Sequence, residues 1–326
     1  MPGLCRGEVI RHRLAMASFL RLAQALGLVA VSAWIWATRT DVLLTGHPMY
    51  AVLVTLAGLA GLVLAIGAWR ARRRAAVRRP GVLRAVARIA GVVGTIAALA
   101  GLVWLRPYSA TAPAIALTST GSAAVSVVST STTITLAPTA GATAYTSGVG
   151  LVFQPGALVD PRAYVPLLAR VAERGHLVVI VKQPLSFGLL AISAPDGPIG
   201  AHPEVTRWAV GGHSLGGVAA SMYAAGQRDR VSGLLLWASY PAQSLADRTG
   251  LAVASISGTA DGLATPEKID AHRMELPAST VYVPVEGGIH AFFGDYGEQA
   301  GDGIPTVSRE QAQAAIVEAT LALLAR

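Results

Sequence analysis

Three apolar stretches without a charged residue occupy the first third of the chain, at residues 22–38, 50–69 and 89–105. A helix needs about 20 residues to cross the hydrocarbon core of a bilayer, and stretches of about 17 can suffice. Aromatic residues, which favour the membrane interface, lie at or near their ends: Trp34, Trp36, Tyr50, Trp69, Trp104 and Tyr108. Buried helices of a soluble domain are the alternative, but three such stretches with no polar face disfavour it. The pattern predicts a membrane anchor of three transmembrane helices over residues 1–106.

Basic residues are distributed unevenly between the two parts of the chain. Residues 1–106 contain 14 of the 26 Lys and Arg residues and two acids, whereas residues 107–326 contain 12 basic and 16 acidic residues. The loop between the first two apolar stretches holds only Arg39, and the arginines between the second and third are Arg70, Arg72, Arg73, Arg74, Arg78, Arg79, Arg84 and Arg88. Because cytoplasmic loops are rich in Arg and Lys, we expect a multi-pass protein of the cell membrane with a cytoplasmic N-terminus and an extracytoplasmic domain after Arg106. The net charge of +8 therefore reflects membrane flanks, and no nucleic-acid partner is predicted.

A second, different region follows the anchor. Residues 107–124 are rich in Ala, Ser, Thr and Pro, which predicts a linker. From residue 125 to 326, β-rich segments alternate with helical patterns, and the first two segments predict a hairpin at the edge of a sheet. Helix-start signals occur at Asp160-Pro161 and at Ser308-x-x-Gln311. This alternation implies an α/β domain with a mostly parallel sheet and helices on both faces.

One predicted strand, near residues 207–211, runs directly into Gly212-His213-Ser214-Leu215-Gly216, and a helical pattern of small residues follows. Gly-x-Ser-x-Gly between a strand and a helix indicates a nucleophile elbow. Side chains two residues before and after the serine would collide in so tight a turn, which explains both glycines. The helix N-terminus directs N–H groups toward the place where negative charge develops in acyl transfer. Ser214 is therefore the candidate nucleophile.

Four segments carry a resemblance to a known family: QPGALVDPRAY, WAVGGHSLGG, GTADGLATPEKI and EGGIHAFFGDYG. Together they resemble the α/β-hydrolase superfamily, and in particular its compact, capless, dienelactone-hydrolase-like members, from about residue 125 to the end. The resemblance implies the α/β-hydrolase fold, with the N–H groups of Ala157 and Leu215 as oxyanion donors. Many relatives have His-Gly where this chain has Pro155-Gly156, so a plain strand-to-helix turn is the alternative at that loop.

The remaining catalytic candidates follow from what a serine needs. Its hydroxyl requires a base, and the base requires a carboxylate that orients it. In this fold the order along the chain is Ser, acid, His. Asp261 follows a predicted strand and is the candidate acid, with Glu267 and Asp270 on a solvated helix as alternatives. His290 follows the next strand on a Gly-rich turn and is the candidate base, whereas His272 is expected on a helix surface.

No cofactor and no metal are predicted. Cys5 is the only cysteine, which excludes an intrachain disulfide and a Cys-based metal site. Asp295, Glu298 and Asp302 share a Gly-rich loop, but their spacing matches no EF-hand, and we expect a solvated loop. His213, beside the candidate nucleophile, is expected to pack beneath the elbow.

These features predict a membrane-anchored serine hydrolase that acts on small carboxylic-ester or related acyl substrates. Ser214, His290 and Asp261 would form its triad, and Ala157 and Leu215 its oxyanion hole. The residues between 239 and 252 are too few for a cap domain, which predicts an open site. An acyltransferase and a catalytically inactive membrane scaffold or binding module on the same fold are the alternatives.

Overall fold

The computed structural model describes residues 3–73, 81–139 and 148–326. The chain divides into two compact units, Met1–Leu44 with Met49–Arg106 and Thr45–Pro48 with Pro107–Arg326. Arg74, Arg78 and Arg79, on which the predicted orientation partly depends, lie outside the described residues.

The first unit consists of three long helices: α1 (Gly3–Thr45), α2 (Pro48–Arg73) and α3 (Val82–Trp104). Within them, the stretches Phe19–Thr45, Pro48–Ala71 and Ala85–Trp104 are 27, 24 and 20 residues long and apolar enough to cross a membrane. Each predicted apolar stretch therefore falls in one long helix, apart from Leu105 at the C-terminal cap of α3. The length and composition of all three helices fit membrane spans.

Close backbone approach and polar contacts join the helices of the first unit. A Cβ on Gly61 of α2 would lie 2.8 Å from the carbonyl oxygen of Ala25 in α1. Gln24 Nε2 of α1 donates to Gly91 O and to Thr95 Oγ1 of α3, each at 2.9 Å. Small residues and interhelical hydrogen bonds hold helices together in lipid, where apolar contact alone gives little advantage.

The second unit is built on a sheet with eight strands in the described residues. In chain order they are β1 (Val125–Ser129), β2 (Thr133–Pro138), β3 (Val149–Gln154), β4 (Leu177–Val181), β5 (Arg207–His213), β6 (Gly233–Trp237), β7 (Ala252–Gly258) and β8 (Val281–Val285). The spatial order is β1-β2-β4-β3-β5-β6-β7-β8. The β1–β2 and β2–β4 pairs are antiparallel, and all others are parallel. The predicted mostly parallel sheet and its edge hairpin are confirmed.

Six helices follow α3 in the described residues: α4 (Ala112–Thr120), α5 (Val165–Ala172), α6 (Asp196–Ala201), α7 (Leu215–Gly226), α8 (Pro266–Ala271) and α9 (Arg309–Leu324). In β3, Leu151 and Phe153 point into a core shared with α5 and α9, and Val152 points into a second core shared with α7. Successive residues of a strand face opposite sides of the sheet. Helices therefore cover both faces, which explains why the central strands are apolar throughout.

Both helix-start signals are present in the structure. Asp160 Oδ1 accepts from Arg162 N at 3.0 Å at the start of a 3-10 turn that leads into α5. At α9, Ser308 Oγ accepts from Gln311 N at 3.2 Å, and Gln311 Oε1 accepts from Ser308 N at 3.0 Å. The capping box thus satisfies N–H groups that the helix itself leaves without partners.

Residues 107–124 differ from the predicted linker, because they include α4 and pack in the second unit. Tyr108 N donates to Leu158 O at 2.6 Å, and Ala110 forms a bridge with Tyr296. Ala114 of α4 is fully buried in the core. The composition of small residues suggested flexibility, but small side chains also let a short helix lie close against its neighbours.

Candidate active site

Ser214 lies between β5 and α7 in a strained turn. Its φ of 52° and ψ of −125° belong to a region that residues with a Cβ rarely adopt. A Cβ on Gly212 would overlap the backbone of Gly216, and Ser214 N is held by Trp237 O at 2.9 Å. The Gly-x-Ser-x-Gly pattern therefore folds into a strained strand-to-helix elbow, and the hydrogen bond to β6 holds Ser214 in this geometry.

Asp261 and His290 form a buried pair at the carboxyl edge of the sheet. Asp261 follows β7, His290 follows β8, and Asp261 Oδ2 lies 2.8 Å from His290 Nδ1. The other oxygen, Asp261 Oδ1, accepts from Leu263 N and Ala264 N, each at 2.8 Å. Since both carboxylate oxygens accept, we assign the proton of a neutral imidazole to Nδ1, which leaves Nε2 as an acceptor. A histidine held in this form is able to act as a general base.

Ser214 and His290 lie on the same side of the domain, but they are not directly bonded. Within the described residues, no hydrogen bond joins Ser214 Oγ to the His290 ring. The ring of His213, next to Ser214 in the chain, lies 4.4 Å from the His290 ring, centroid to centroid. Hydrogen bonds of this kind are often long in substrate-free enzymes and shorten in the Michaelis complex. The structure therefore joins Asp261 to His290 directly, and it places Ser214 next to a residue, His213, whose ring lies against that of His290.

The turn after β3 leaves one amide unpaired. Gly156 N donates to Tyr164 Oη and Leu158 N donates to Ser186 O, both at 2.9 Å. Ala157 N, between them, has no acceptor in the described part of the chain. Both neighbouring amides are thus used to hold the loop, and the middle one is available.

A second unpaired amide lies at the start of α7. Leu215 N has no acceptor among the described residues, and the Ser214 side chain does not cap the helix. A Cβ on Gly216 would overlap the carbonyl oxygens of Gln154 and Pro155, so the start of α7 touches the turn that carries Ala157. Two free N–H groups on touching turns are suited to bind a developing oxyanion.

His213 is buried beneath the elbow, where the sequence led us to expect it. Its Nδ1 lies 2.9 Å from Tyr164 Oη, and its ring stacks on Phe293 with an interplanar angle of 8°. Because Tyr164 Oη accepts from Gly156 N, its own proton points to His213 Nδ1. Burial, and to a lesser extent the nearby His290, hold the pKa of His213 well below its usual value. His213 is therefore neutral and cannot place a second positive charge beside His290.

The alternative acid and base residues lie in α8 or at its C-terminal cap and have other surroundings. His272 caps the end of α8 and stacks on Tyr240, with ring centroids 4.3 Å apart. Asp270 is exposed and pairs with Arg273 at 2.7 Å, and Glu267 is exposed in the first turn of α8. The structure therefore favours His290 and Asp261 over the other candidates.

The acidic loop after His290 differs in part from the expected solvated loop. Glu298 is exposed, but Asp295 Oδ1 accepts from Gln313 Nε2 at 2.8 Å, and the Asp302 carboxylate accepts from several backbone amides. Within the described residues, no group of three or more His, Cys, Asp or Glu side chains is placed to hold a metal ion. The loop is therefore held by protein contacts that sequence spacing did not reveal.

Residues 150–314, about half of the chain, match the sequence model of the alpha/beta hydrolase family. The chain belongs to this family. No curated protein matches it.

Three solved structures are similar to this hydrolase. They are Est1E from Butyrivibrio proteoclasticus (13% identity, 63% of this chain and 100% of that one, TM-score 0.46), a proposed dienelactone hydrolase from Klebsiella pneumoniae subsp. pneumoniae (17%, 60% and 92%, 0.45), and a monoacylglycerol lipase from Paleococcus ferrophilus (16%, 53% and 94%, 0.43). Likenesses at this level assign no substrate, so the activity must be inferred from the site's own residues.

Two residues of the hydrolase domain have contacts at the site that sequence reasoning missed. Tyr164 fits a helical apolar pattern, which indicates a core residue and does not reveal that its hydroxyl holds Gly156 N. The sequence predicts a solvated loop around Asp302, because nothing in the local sequence reveals that its carboxylate accepts from amides of other segments. Both roles depend on contacts between segments that are far apart in the chain.

Proposed function

We propose that this alpha/beta hydrolase is a membrane-anchored serine hydrolase that acts on carboxylic-ester or related acyl substrates. The observation that carries the proposal is the buried pair of Asp261 Oδ2 and His290 Nδ1, 2.8 Å apart, beside a serine in a strained elbow. A buried carboxylate needs a partner that offsets its desolvation. A histidine in that position, with its second nitrogen left as an acceptor, is the arrangement that acyl transfer requires.

The proposed mechanism assigns a role to each of these residues. Ser214 Oγ attacks the acyl carbon while His290 Nε2 takes its proton, and Asp261 stabilises the imidazolium that results. The N–H groups of Ala157 and Leu215 donate to the oxyanion. His290 then protonates the leaving alcohol, and the acyl group stays on Ser214. In the second half, His290 activates a water, which releases the acid and restores the serine.

Substitution of the nucleophile tests this proposal. We expect purified full-length protein to hydrolyse p-nitrophenyl acetate and to be labelled by a fluorophosphonate probe, and Ser214→Ala to lose both. Ser279→Ala is the matched control, because Ser279 is exposed and lies in the loop before β8. Equal labelling of S214A and the parent would show that Ser214 is not the nucleophile. No labelling of folded parent would favour an inactive binding module.

We further propose that α1, α2 and α3 span the cell membrane, with the N-terminus in the cytoplasm and the hydrolase domain outside it. Three apolar helices of sufficient length and the arginine-poor first loop support this orientation. A C-terminal alkaline phosphatase fusion should be active and a C-terminal green fluorescent protein fusion dark. An inactive phosphatase fusion together with a bright fluorescent fusion would contradict this orientation and would leave the proposed chemistry unaffected.

A further inference from the structure

Three separate segments meet at the backbone of His290: the acid loop at 258–264, the turn at 285–291 and the segment Gly301-Asp302-Gly303. Ala260 N donates to Gly288 O at 3.0 Å, which joins the first two. A Cβ on Gly262 would lie 2.5 Å from Gly301 O, and one on Gly303 would overlap Ala260 O. The absence of a Cβ at Gly262 and Gly303 thus allows the backbone around Asp302 to touch the acid loop.

The Asp302 carboxylate accepts from amides of all three segments. Its Oδ1 accepts from Gly262 N at 3.3 Å, from His290 N at 3.0 Å and from Gly303 N at 2.8 Å. Its Oδ2 accepts from Ala291 N at 2.8 Å. Hydrogen bonds to an ionised acceptor are stronger than those between neutral groups. One side chain therefore joins the segment that carries the acid to the segment that carries the base.

The contact to His290 and Ala291 also supplies a cap that the local sequence lacks. Residues His290–Phe293 form a 3-10 turn, and its N-cap residue, Ile289, has no side-chain acceptor for the first amides. Asp302 reaches these amides from 11 and 12 residues away in the chain. Without it, two amides at the start of this turn would lose their acceptor at a partly buried position.

We propose that Asp302 is a positioning residue that keeps the backbone of His290 in register with Asp261. The inference rests on the proposed function for its effect on catalysis. The carboxylate does not contact the reacting atoms in this arrangement. It acts through the backbone of His290 and through that of Gly262, the residue after Asp261. A misplacement of about 1 Å costs a catalyst on the order of 10²-fold in rate, because the reacting atoms leave the geometry of attack.

Asp302→Asn and Asp302→Ala test the proposal in two steps. In D302N, the Asn oxygen is expected at the position of Oδ1, because that atom accepts from three donors. The NH2 group of the Asn then faces Ala291 N–H, which loses its acceptor. We expect kcat for p-nitrophenyl acetate to fall about 10-fold in D302N and about 100-fold in D302A. KM should stay within about twofold, because the substrate-facing surface is unchanged. Asp295→Asn is the matched control: its carboxylate accepts from Gln313 Nε2 and from neither of the amides at 290 and 291 that Asp302 caps.

Hydrogen exchange by mass spectrometry on the full-length protein provides a readout that does not depend on activity. In D302N, peptides covering 287–294 should exchange faster than in the parent and in D295N, while peptides from β3 and β5 keep their protection. Unchanged exchange at 287–294, or equal acceleration in D295N, would overturn the proposal. So would a D302N variant in which KM changes and kcat does not. If the parent shows no esterase activity, the proposed function fails, and the exchange result still decides whether Asp302 holds the two segments together.

Discussion

Asp261→Asn is the substitution whose outcome the site geometry determines most directly. The change keeps the shape of the side chain but replaces one acceptor oxygen with an NH2 donor. Oδ1 serves two backbone donors, Leu263 N and Ala264 N, and Oδ2 serves one, His290 Nδ1. Leaving a buried donor without an acceptor costs about 1–3 kcal/mol. The Asn oxygen should therefore stay with the two backbone amides, and its NH2 group should face His290.

That orientation reverses the tautomer of the imidazole. When an NH2 group donates to His290 Nδ1, the ring proton lies on Nε2. Nε2 then cannot accept the proton of Ser214. The corresponding change in a serine protease lowers kcat by about 10⁴-fold, or about 5 kcal/mol in the activation barrier. We expect a loss of this order in D261N, with the thermal unfolding midpoint close to that of the parent.

The assay is the initial rate of p-nitrophenyl acetate hydrolysis together with the rate of fluorophosphonate labelling, both on full-length protein in detergent. Asp270→Asn is the control, since it removes a carboxylate from an exposed position where it pairs with Arg273. D270N should retain the parent rate. If D261N, folded to the same extent, kept more than about a tenth of the parent rate, the assignment of Asp261 as the orienting acid would be wrong.

Two further outcomes concern stability. Gly216→Ala should destabilise the domain by about 1–3 kcal/mol in chemical denaturation, because the new Cβ overlaps backbone carbonyls that cannot move aside. In the matched control Gly226→Ala, at the end of the same helix, the new Cβ meets nothing within 4 Å, and we expect no loss of stability. Because the pKa of His213 is lowered in the folded state, this residue binds a proton more readily in the unfolded chain. The free energy of unfolding should therefore fall as the pH drops below about 6.5, by at most about 1.4 kcal/mol per pH unit. His213→Asn should make that decline shallower between pH 6.5 and 5 in denaturation series, and identical slopes in both proteins would contradict the burial of a neutral ring.

Local pattern was sufficient for the elements that depend on neighbours in the chain. The apolar stretches became long helices, the capping box at Ser308 opened α9, and Gly-x-Ser-x-Gly folded into a strained turn between β5 and α7. The chain order of serine, acid and histidine also pointed to the residues that the sheet brings to one edge. These patterns predict local structure correctly because periodicity, helix capping and glycine requirements act over a few residues.

The tertiary structure decided what depends on residues far apart in the sequence. It packed α4 into the core where composition indicated a linker, since composition does not tell whether a small side chain is buried. It places Tyr164 Oη where it accepts from Gly156 N, and it leaves Ala157 N without an acceptor among the described residues. It also brings the Asp302 carboxylate to the amides at 262, 290 and 291. A sequence reveals which groups can donate or accept, but only the folded chain brings a particular donor within 3 Å of a particular acceptor.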